Sequence, residues 1–320
     1  MSRPVFNRSK DGWFLLQTGL ADKTINDYRR HVRYFLEWCA LTNIIYSSIK
    51  TTNELDDIVT DYLHFRYELL DGGGRQGGEN LINGLTMLVP RLKGRLFTAR
   101  RVLNNWKRAI PPESYPPLTW ELAVVIAVQM CRHGYYRYAV GVLLSFDCLL
   151  RVSEMSALKT LNVVDSGDAR LGSAYRRVMI TIPVAKGGRN QSVVIENPAV
   201  IRLIRDVVRR TPSGGPLFPG GVHSYRRVFN RVRDELGLSS KYGTHSLRHG
   251  GATLLFLQNW SLADIMLRGR WKAESSARTY IQQGPAVLAA MQAPPAITRS
   301  AAVLARDVVL SLSLSQLHSA

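Results

Sequence analysis

The chain has 320 residues, 46% of them hydrophobic, which is enough for two domains with buried cores. Its formal net charge of +18 favours a polyanionic partner. Most of its basic residues are arginines, and one guanidinium can bind two oxygens of a phosphate at once. An arginine-rich proteome is the alternative explanation. The longest apolar runs, Leu122 to Met130 and Tyr138 to Phe146, are too short to span a membrane. Three cysteines without metal-ligand spacing argue against a disulfide framework and indicate an intracellular protein.

The first third of the chain predicts four helices, of which the first and the last carry several basic residues. An amphipathic helix begins near Thr24, a second runs over about 53–70, and two more follow at about 79–89 and 95–108. The glycine-rich segment 72–78 lacks the Lys-Ser/Thr of a phosphate-binding loop and predicts a flexible connection. The basic residues expected to face DNA are Arg29, Arg30, Arg33, Arg95, Arg100, Arg101 and Lys107.

A proline-rich segment predicts the domain boundary, because four prolines in seven residues form a stiff, extended spacer. We therefore divide the chain into a helical domain at 1–110, a linker at 111–117, a second domain at 118–292 and a tail at 293–320. Residues 300–317 of the tail predict an apolar helix that docks on a partner.

The second domain predicts helices around one β-hairpin. The extended runs Val178–Val184 and Gln191–Ile195 are β-branched, and residues 185–190 connect them. The predicted helices are 119–132, 135–148, 198–210, 222–236, 245–258, 261–268, 274–283 and 285–292.

Reactive side chains concentrate between residues 244 and 282. His245, Arg248 and His249 lie at the start of a predicted helix, which Thr244 is expected to cap. A helix N-terminus with a guanidinium is a site for an anion such as a phosphate diester. Tyr280 is a phenol that can attack a phosphate if a base accepts its proton.

Five motifs in one order carry a family resemblance. An apolar helix ends on Arg151-x-x-Glu154, Lys186 follows at a hairpin tip, then comes His-x-x-Arg-His, and Trp271 precedes Tyr280 by nine residues. This order resembles the tyrosine recombinase (phage integrase) family over most of residues 117–292. The N-terminal helices resemble that family's core-binding domain on pattern alone. The resemblance implies a mainly α fold with a small antiparallel β-sheet or hairpin, arranged as a two-domain clamp on DNA with the tyrosine recombinase catalytic fold.

The resemblance also implies a nucleophile and a charge-stabilising pair. Tyr280 would attack the scissile phosphate and form a 3′-phosphotyrosyl bond. Arg151 and Arg248 would bind the non-bridging oxygens and stabilise the transition state electrostatically. Glu154 would orient the region around Arg151. Since the guanidiniums neutralise the charge, the resemblance implies neither a metal ion nor a cofactor.

The remaining implied roles concern protons and phosphate contacts. His245 would share in proton transfer around the nucleophile, with His249 in a supporting role. Lys186 would protonate the departing 5′ oxygen, and Arg189 nearby is the competing residue for that place and a candidate DNA contact. Trp271 would donate its indole N–H to the phosphate.

Two departures from the family pattern lie near these residues. Arg270 stands where many members have a glycine, and Gly250-Gly251 replaces the usual Thr/Ser plus aromatic residue.

The leading interpretation is a site-specific recombinase or integrase of a mobile element or phage. It would act on double-stranded DNA as a homo-oligomer, a tetramer on paired sites. A type IB topoisomerase and a retired recombinase that only binds DNA are the alternatives. The DNA target stays open, as does the choice between a nucleus and a bacterial cytoplasm.

Overall fold

The computed structural model describes residues 20–111, 115–165, 177–185, 188–281 and 293–317, with the backbone alone for 183–185, 188–190 and 317. The chain divides into two compact units, Met1–Glu113 and Ser114–Ala320. The predicted fold class is confirmed, because the described chain is mainly helical with a small antiparallel sheet. No helix within these ranges is both long and apolar enough to cross a membrane.

The first unit is helical in its described part. Apolar positions three and four residues apart bury one face of each helix, and Phe35, Val59, Leu63 and Leu81 are inaccessible to solvent. The helices are α1 (Asp22–Leu41), α2 (Thr52–Leu69), α3 (Arg75–Leu88) and α4 (Phe97–Ala109), with 3-10 turns at Tyr46–Ser48 and Pro90–Leu92.

The glycine-rich segment 72–78 is only partly a loop. Helix α3 begins at Arg75, so the predicted start at residue 79 is wrong. A Cβ atom at Gly78 would lie 2.6 Å from Leu63 Cδ2 and 2.8 Å from Leu103 Cδ2. Glycine here lets α3 pack closely against these two side chains.

The second unit is organised around two helices that are apolar on nearly every side, α5 (Trp120–Arg132) and α6 (Tyr136–Asp147). Thr119 caps α5, since its Oγ1 accepts a hydrogen bond from the Leu122 amide at 3.3 Å. The other helices are α7 (Val152–Ser156), α8 (Pro198–Arg209), α9 (Gly221–Glu235), α10 (Thr244–Leu257), α11 (Leu262–Gly269), α12 (Glu274–Tyr280), α13 (Pro295–Arg306) and α14 (Val308–Leu317).

The sheet has three antiparallel strands in the order β1 (Val163–Val164), β2 (Met179–Ala185) and β3 (Gly188–Val194). The β2–β3 pairing extends to Ala185 opposite Gly188, so residues 188–190, predicted as connection, belong to β3. Pairing between backbones needs no apolar side chains, so the prediction from β-branched runs made the hairpin strands too short. The two-residue strand β1 was not predicted.

The tail packs within its own unit. Helices α13 and α14 lie on α5, with Ala301, Val308 and Leu312 buried. A break at Asp307 divides the single predicted helix over 300–317 into two, and the carboxylate of Asp307 accepts a hydrogen bond from the Leu310 amide at 3.0 Å. Residues 285–292, predicted as helix, lie outside the described residues.

Candidate functional site

The site starts at a tight turn after α6. Leu149 has a left-handed backbone with φ of 49°, which costs a non-glycine residue of order 1–3 kcal/mol. The turn aims the Leu149 carbonyl at two guanidiniums, those of Arg248 and Arg270, which both donate to it. The chain then continues into Arg151 and helix α7.

Arg151 and Glu154 form an ion pair at the start of α7. Glu154 accepts from the Arg151 amide at 2.9 Å and from Arg151 Nη1 at 2.6 Å. Burial would raise the pKa of the Glu154 carboxyl, but the guanidiniums of Arg270 and Arg151 hold that pKa below its ordinary value. The carboxylate is therefore ionised and holds the Arg151 side chain, which remains 19% exposed.

Helix α10 carries the histidines and the second arginine. The helix begins at Thr244 itself, and the hydroxyl of Ser246 accepts from the Gly243 amide at 3.1 Å. The expectation that Thr244 caps this helix is therefore wrong.

The Gly250-Gly251 departure has a steric cause. A Cβ atom at either position would overlap a backbone carbonyl, that of Leu118 for Gly250 and that of Phe146 for Gly251. The absence of side chains lets α10 lie directly against α6, and this close approach brings Arg248 to the turn at Leu149.

Arg248 is completely buried. Its two terminal nitrogens donate to the carbonyls of Leu149 and Gly269, and its guanidinium lies 4.5 Å from the ring centre of Trp271 and 5.3 Å from that of Tyr280. Its Nε is buried without a hydrogen-bond partner among the described residues. One donor of this guanidinium therefore remains available to an acceptor.

Positive charge exceeds negative charge in this cluster. Burial lowers the pKa of Arg248, and the charges of Arg151 and Arg270 lower it further. Arginine nonetheless stays protonated in proteins. The nearest acid in this cluster is Glu154, whose Oε2 lies 4.0 Å from Arg248 Nη1. Three guanidiniums share one carboxylate, which favours the binding of an anion.

Tyr280 ends α12 and packs into the cluster. Its ring centre lies 4.3 Å from that of His249 and 4.8 Å from that of Trp271. Trp271 is 8% exposed, and its Nε1 is buried with no hydrogen-bond partner in the described part of the chain. A Cβ atom at Gly269 would overlap the indole, so a glycine is required beneath it.

The two histidines are held neutral at pH 7. Burial, followed by the charge of Arg248, lowers the pKa of His245, which stacks on Tyr115 with ring centres 5.6 Å apart. Burial, His245 and Arg248 lower the pKa of His249 to about 4. A neutral imidazole can accept a proton, so both residues qualify as bases.

Acid is expected to destabilise the second unit through His249. Its folded pKa lies below the unfolded value, so its contribution to stability is complete above pH 6.5 and is lost as the pH falls towards 4. The loss amounts to about 3 kcal/mol at most. We expect His249→Asn to unfold with a weaker dependence on pH between 6.5 and 4 in urea titrations, whereas the exposed control His223→Asn should follow the wild type. Equal slopes for the two variants would contradict the assignment.

The structure brings together most of the predicted site. The side chains that meet in the cluster are Arg151, Glu154, Arg248, His249, Trp271 and Tyr280. His245 lies one helical turn before His249 on α10, with its own ring stack. Lys186 lies outside the described residues, and only the backbone of Arg189 is described.

Seven of the predicted DNA-facing residues belong to the first unit. All of them are exposed, and Arg30 pairs with Asp27 at 2.6 Å. They are Arg29, Arg30 and Arg33 on α1, Arg95 just before α4, and Arg100, Arg101 and Lys107 on α4.

Two buried arginines were not predicted as site residues. Arg268 donates to the carbonyl of Asp147 at 2.7 Å and to that of Val194 at 2.9 Å, which ties α11 to the end of α6 and to β3. Arg270 donates to Glu154 at 2.8 Å. Only the departure at Arg270 signalled either residue in the sequence.

No three His, Cys, Asp or Glu side chains within the described ranges form a group able to hold a metal ion.

The chain is similar to known proteins in sequence pattern and in fold. The phage integrase family model matches residues 124–286. A transposon Tn1549 integrase in complex with transposon right end DNA aligns with a TM-score of 0.58 and 10% identity, over 88% of this chain and 96% of that one. A lambda integrase dimer bound to a COC′ core site aligns with a TM-score of 0.55 and 14% identity, over 85% and 95%.

A third solved structure is the XerH site-specific recombinase bound to palindromic difH substrate. It aligns with a TM-score of 0.54 and 16% identity, over 80% of this chain and 75% of that one. A comparison with curated protein sequences found no match. The solved structures share the fold, and the family model covers half of the sequence. The chain therefore belongs to the phage integrase family and is a tyrosine recombinase.

Proposed function

We propose that this tyrosine recombinase cuts and rejoins double-stranded DNA through a covalent bond between Tyr280 and a 3′ phosphate. The observation that carries the proposal is the packing of Tyr280 against Arg248 and Trp271, each of which has a buried N–H without a partner among the described residues. Buried donors are nearly always satisfied. A phosphate oxygen would supply the missing acceptor beside the nucleophile.

The proposed reaction conserves the energy of the phosphodiester. The Tyr280 oxygen attacks phosphorus, the bond to the 5′ oxygen breaks, and a 3′-phosphotyrosyl bond remains. The phenol proton passes to a neutral imidazole, that of His245 or of His249, and Lys186 gives a proton to the departing 5′ oxygen. Rejoining reverses these steps with a 5′ hydroxyl as the nucleophile.

Charge stabilisation is assigned to the guanidiniums. Arg151 is partly exposed and Arg248 is buried, and both are fixed by hydrogen bonds before any substrate arrives. Preorganised donors of this kind stabilise the transition state without reorganisation, and each typically changes the rate by about 10²–10³.

DNA binding is assigned to the exposed basic residues of α1 and α4 and to the net charge of +18, which attracts the phosphate backbone.

Strand exchange needs several copies on paired sites, so we propose a homo-oligomer, a tetramer on DNA. The exposed outer side of the tail helices, with Val303 63% and Leu310 53% exposed, supports a role for residues 293–320 in contacts between copies. The structures of related integrases with transposon end or core-site DNA support a mobile element or phage as the setting.

A trapping experiment tests the proposal. Purified protein is incubated with nicked duplex fragments from the DNA flanking its own gene, then denatured and separated on a gel. We expect a slow-migrating protein–DNA adduct, and mass spectrometry of its peptides should place the nucleotide on Tyr280. Retarded native complexes without an adduct would indicate a DNA-binding relic instead. Relaxation of supercoiled plasmid without sequence preference would indicate a type IB topoisomerase.

A further inference from the structure

Arg270 occupies an unfavourable backbone position inside the site. Its φ of 57° and ψ of 41° are left-handed, and its side chain is only 3% exposed. A left-handed conformation costs a residue with a Cβ atom about 1–2 kcal/mol, and burying a charge costs more. The contacts of the side chain must offset both costs.

Those contacts are four hydrogen bonds. Arg270 Nη2 donates to Glu154 Oε2 at 2.8 Å and to the Leu149 carbonyl at 2.9 Å. Its Nη1 donates to the carbonyls of Arg268 at 2.9 Å and Cys148 at 3.2 Å. The guanidinium thus fills the space behind the turn that precedes Arg151.

Two of these acceptors are shared with the arginines assigned to the phosphate. Glu154 also accepts from Arg151, and the Leu149 carbonyl also accepts from Arg248. The guanidinium of Arg270 therefore contacts one hydrogen-bond partner of Arg151 and one of Arg248. Lysine would not reproduce this arrangement, because one ammonium lacks the planar fork that reaches both acceptors.

We propose that Arg270 is a positioning residue that sets Arg151 and Arg248 together for the scissile phosphate and adds a third positive charge, itself buried, behind them. This inference rests on the proposed function. It assigns a role to the residue that stands where the family resemblance expects glycine.

The first test compares Arg270→Gly and Arg270→Lys in the full-length protein. Glycine accepts the left-handed backbone, so the fold should survive the loss of the side chain. We expect Arg270→Gly to slow single-turnover cleavage of nicked DNA by about 10–100-fold, in the range seen when a residue that orients active-site ligands is removed. DNA affinity should not change. Arg270→Lys should fall between Gly and wild type. The control is Arg278→Ala, since Arg278 is exposed on α12 and pairs with Glu274 one turn away.

A charge-sensitive readout separates positioning from simple support of the fold. The same variants are assayed on DNA with a neutral methylphosphonate at the scissile position, where one negative oxygen is missing. If Arg270 sets the charges that meet the phosphate, the loss in Arg270→Gly should shrink on the neutral substrate. An equal loss on both substrates would overturn the proposal. So would full activity of Arg270→Gly on the ordinary substrate.

The behaviour of the wild type distinguishes a failure of the proposed cleavage by Tyr280 from a failure of the proposed role of Arg270. A wild-type protein that forms no adduct overturns the proposed function. A wild type that forms the adduct, together with an Arg270→Gly variant of equal rate, overturns only the role of Arg270. If Arg270→Gly has a lowered melting temperature, the test of the positioning role passes to Arg270→Lys. Full activity of the lysine variant on both substrates would then show that the planar guanidinium is not needed, and would overturn the proposal.

Discussion

Replacing Tyr280 by phenylalanine is expected to abolish the covalent adduct while leaving DNA binding intact. The change removes one oxygen atom and keeps the ring, which packs on His249, Trp271 and Arg248. The packing of the cluster should therefore survive. Without the phenol oxygen no phosphorus–oxygen bond can form to this side chain, so the loss should be complete and not partial.

The measurement is denaturing electrophoresis of nicked-DNA reactions, run beside native gel shifts and a thermal melt. Tyr135→Phe is a matched control, because it deletes the same atom in the same unit, where Tyr135 stacks on Tyr138 away from the cluster. It should form the adduct as the wild type does. An adduct that persists in Tyr280→Phe would move the nucleophile to another residue and refute the assignment.

Most helices of the second unit follow from local pattern, but α7 was not predicted and the two tail helices were predicted as one. The apolar period is visible in sequence, and the predicted helix at 245–258 is observed as Thr244–Leu257, although Thr244 does not cap it. The hairpin was predictable from composition, since β-branched residues are frequent in the runs Val178–Val184 and Gln191–Ile195. Its true length was not, because the last pairs depend on backbone geometry.

The inner part of the site could not be predicted from spacing. The Leu149 carbonyl binds Arg248 across 99 positions and Arg270 across 121. Both bonds run to a backbone carbonyl, which every residue has, so no residue type marks the acceptor. The Gly250-Gly251 pair shows the same limit, since its reason is the close approach of carbonyls from two other segments. Motif order predicted the residues that we propose to face a substrate, together with Glu154, and tertiary contacts revealed Arg270 and the backbone carbonyls that hold them.

Replacing Arg248 by lysine is expected to lower the cleavage rate by about 10²–10³, because one preorganised donor group is lost beside the phosphate. The guanidinium binds the carbonyls of Leu149 and Gly269 at once, and its Nε has no partner within the described ranges, which would leave it for a substrate oxygen. An ammonium group keeps the charge but cannot hold both carbonyls and still present a donor in the same plane. The Gly269 carbonyl would lose its guanidinium partner, which should destabilise the unit by about 1–3 kcal/mol.

Arg278→Lys is the matched control for Arg248→Lys, because the same substitution then falls on an exposed pair with Glu274. It should leave both rate and stability unchanged. Single-turnover cleavage and urea unfolding are measured for both variants. A large rate loss without loss of stability would assign Arg248 to the phosphate alone, and a loss of stability without a rate effect would make it a structural residue. Arg248 is fully buried, yet its Nε has no hydrogen-bond partner among the described residues. We therefore expect both effects together, as for a residue that packs the site and also binds its substrate.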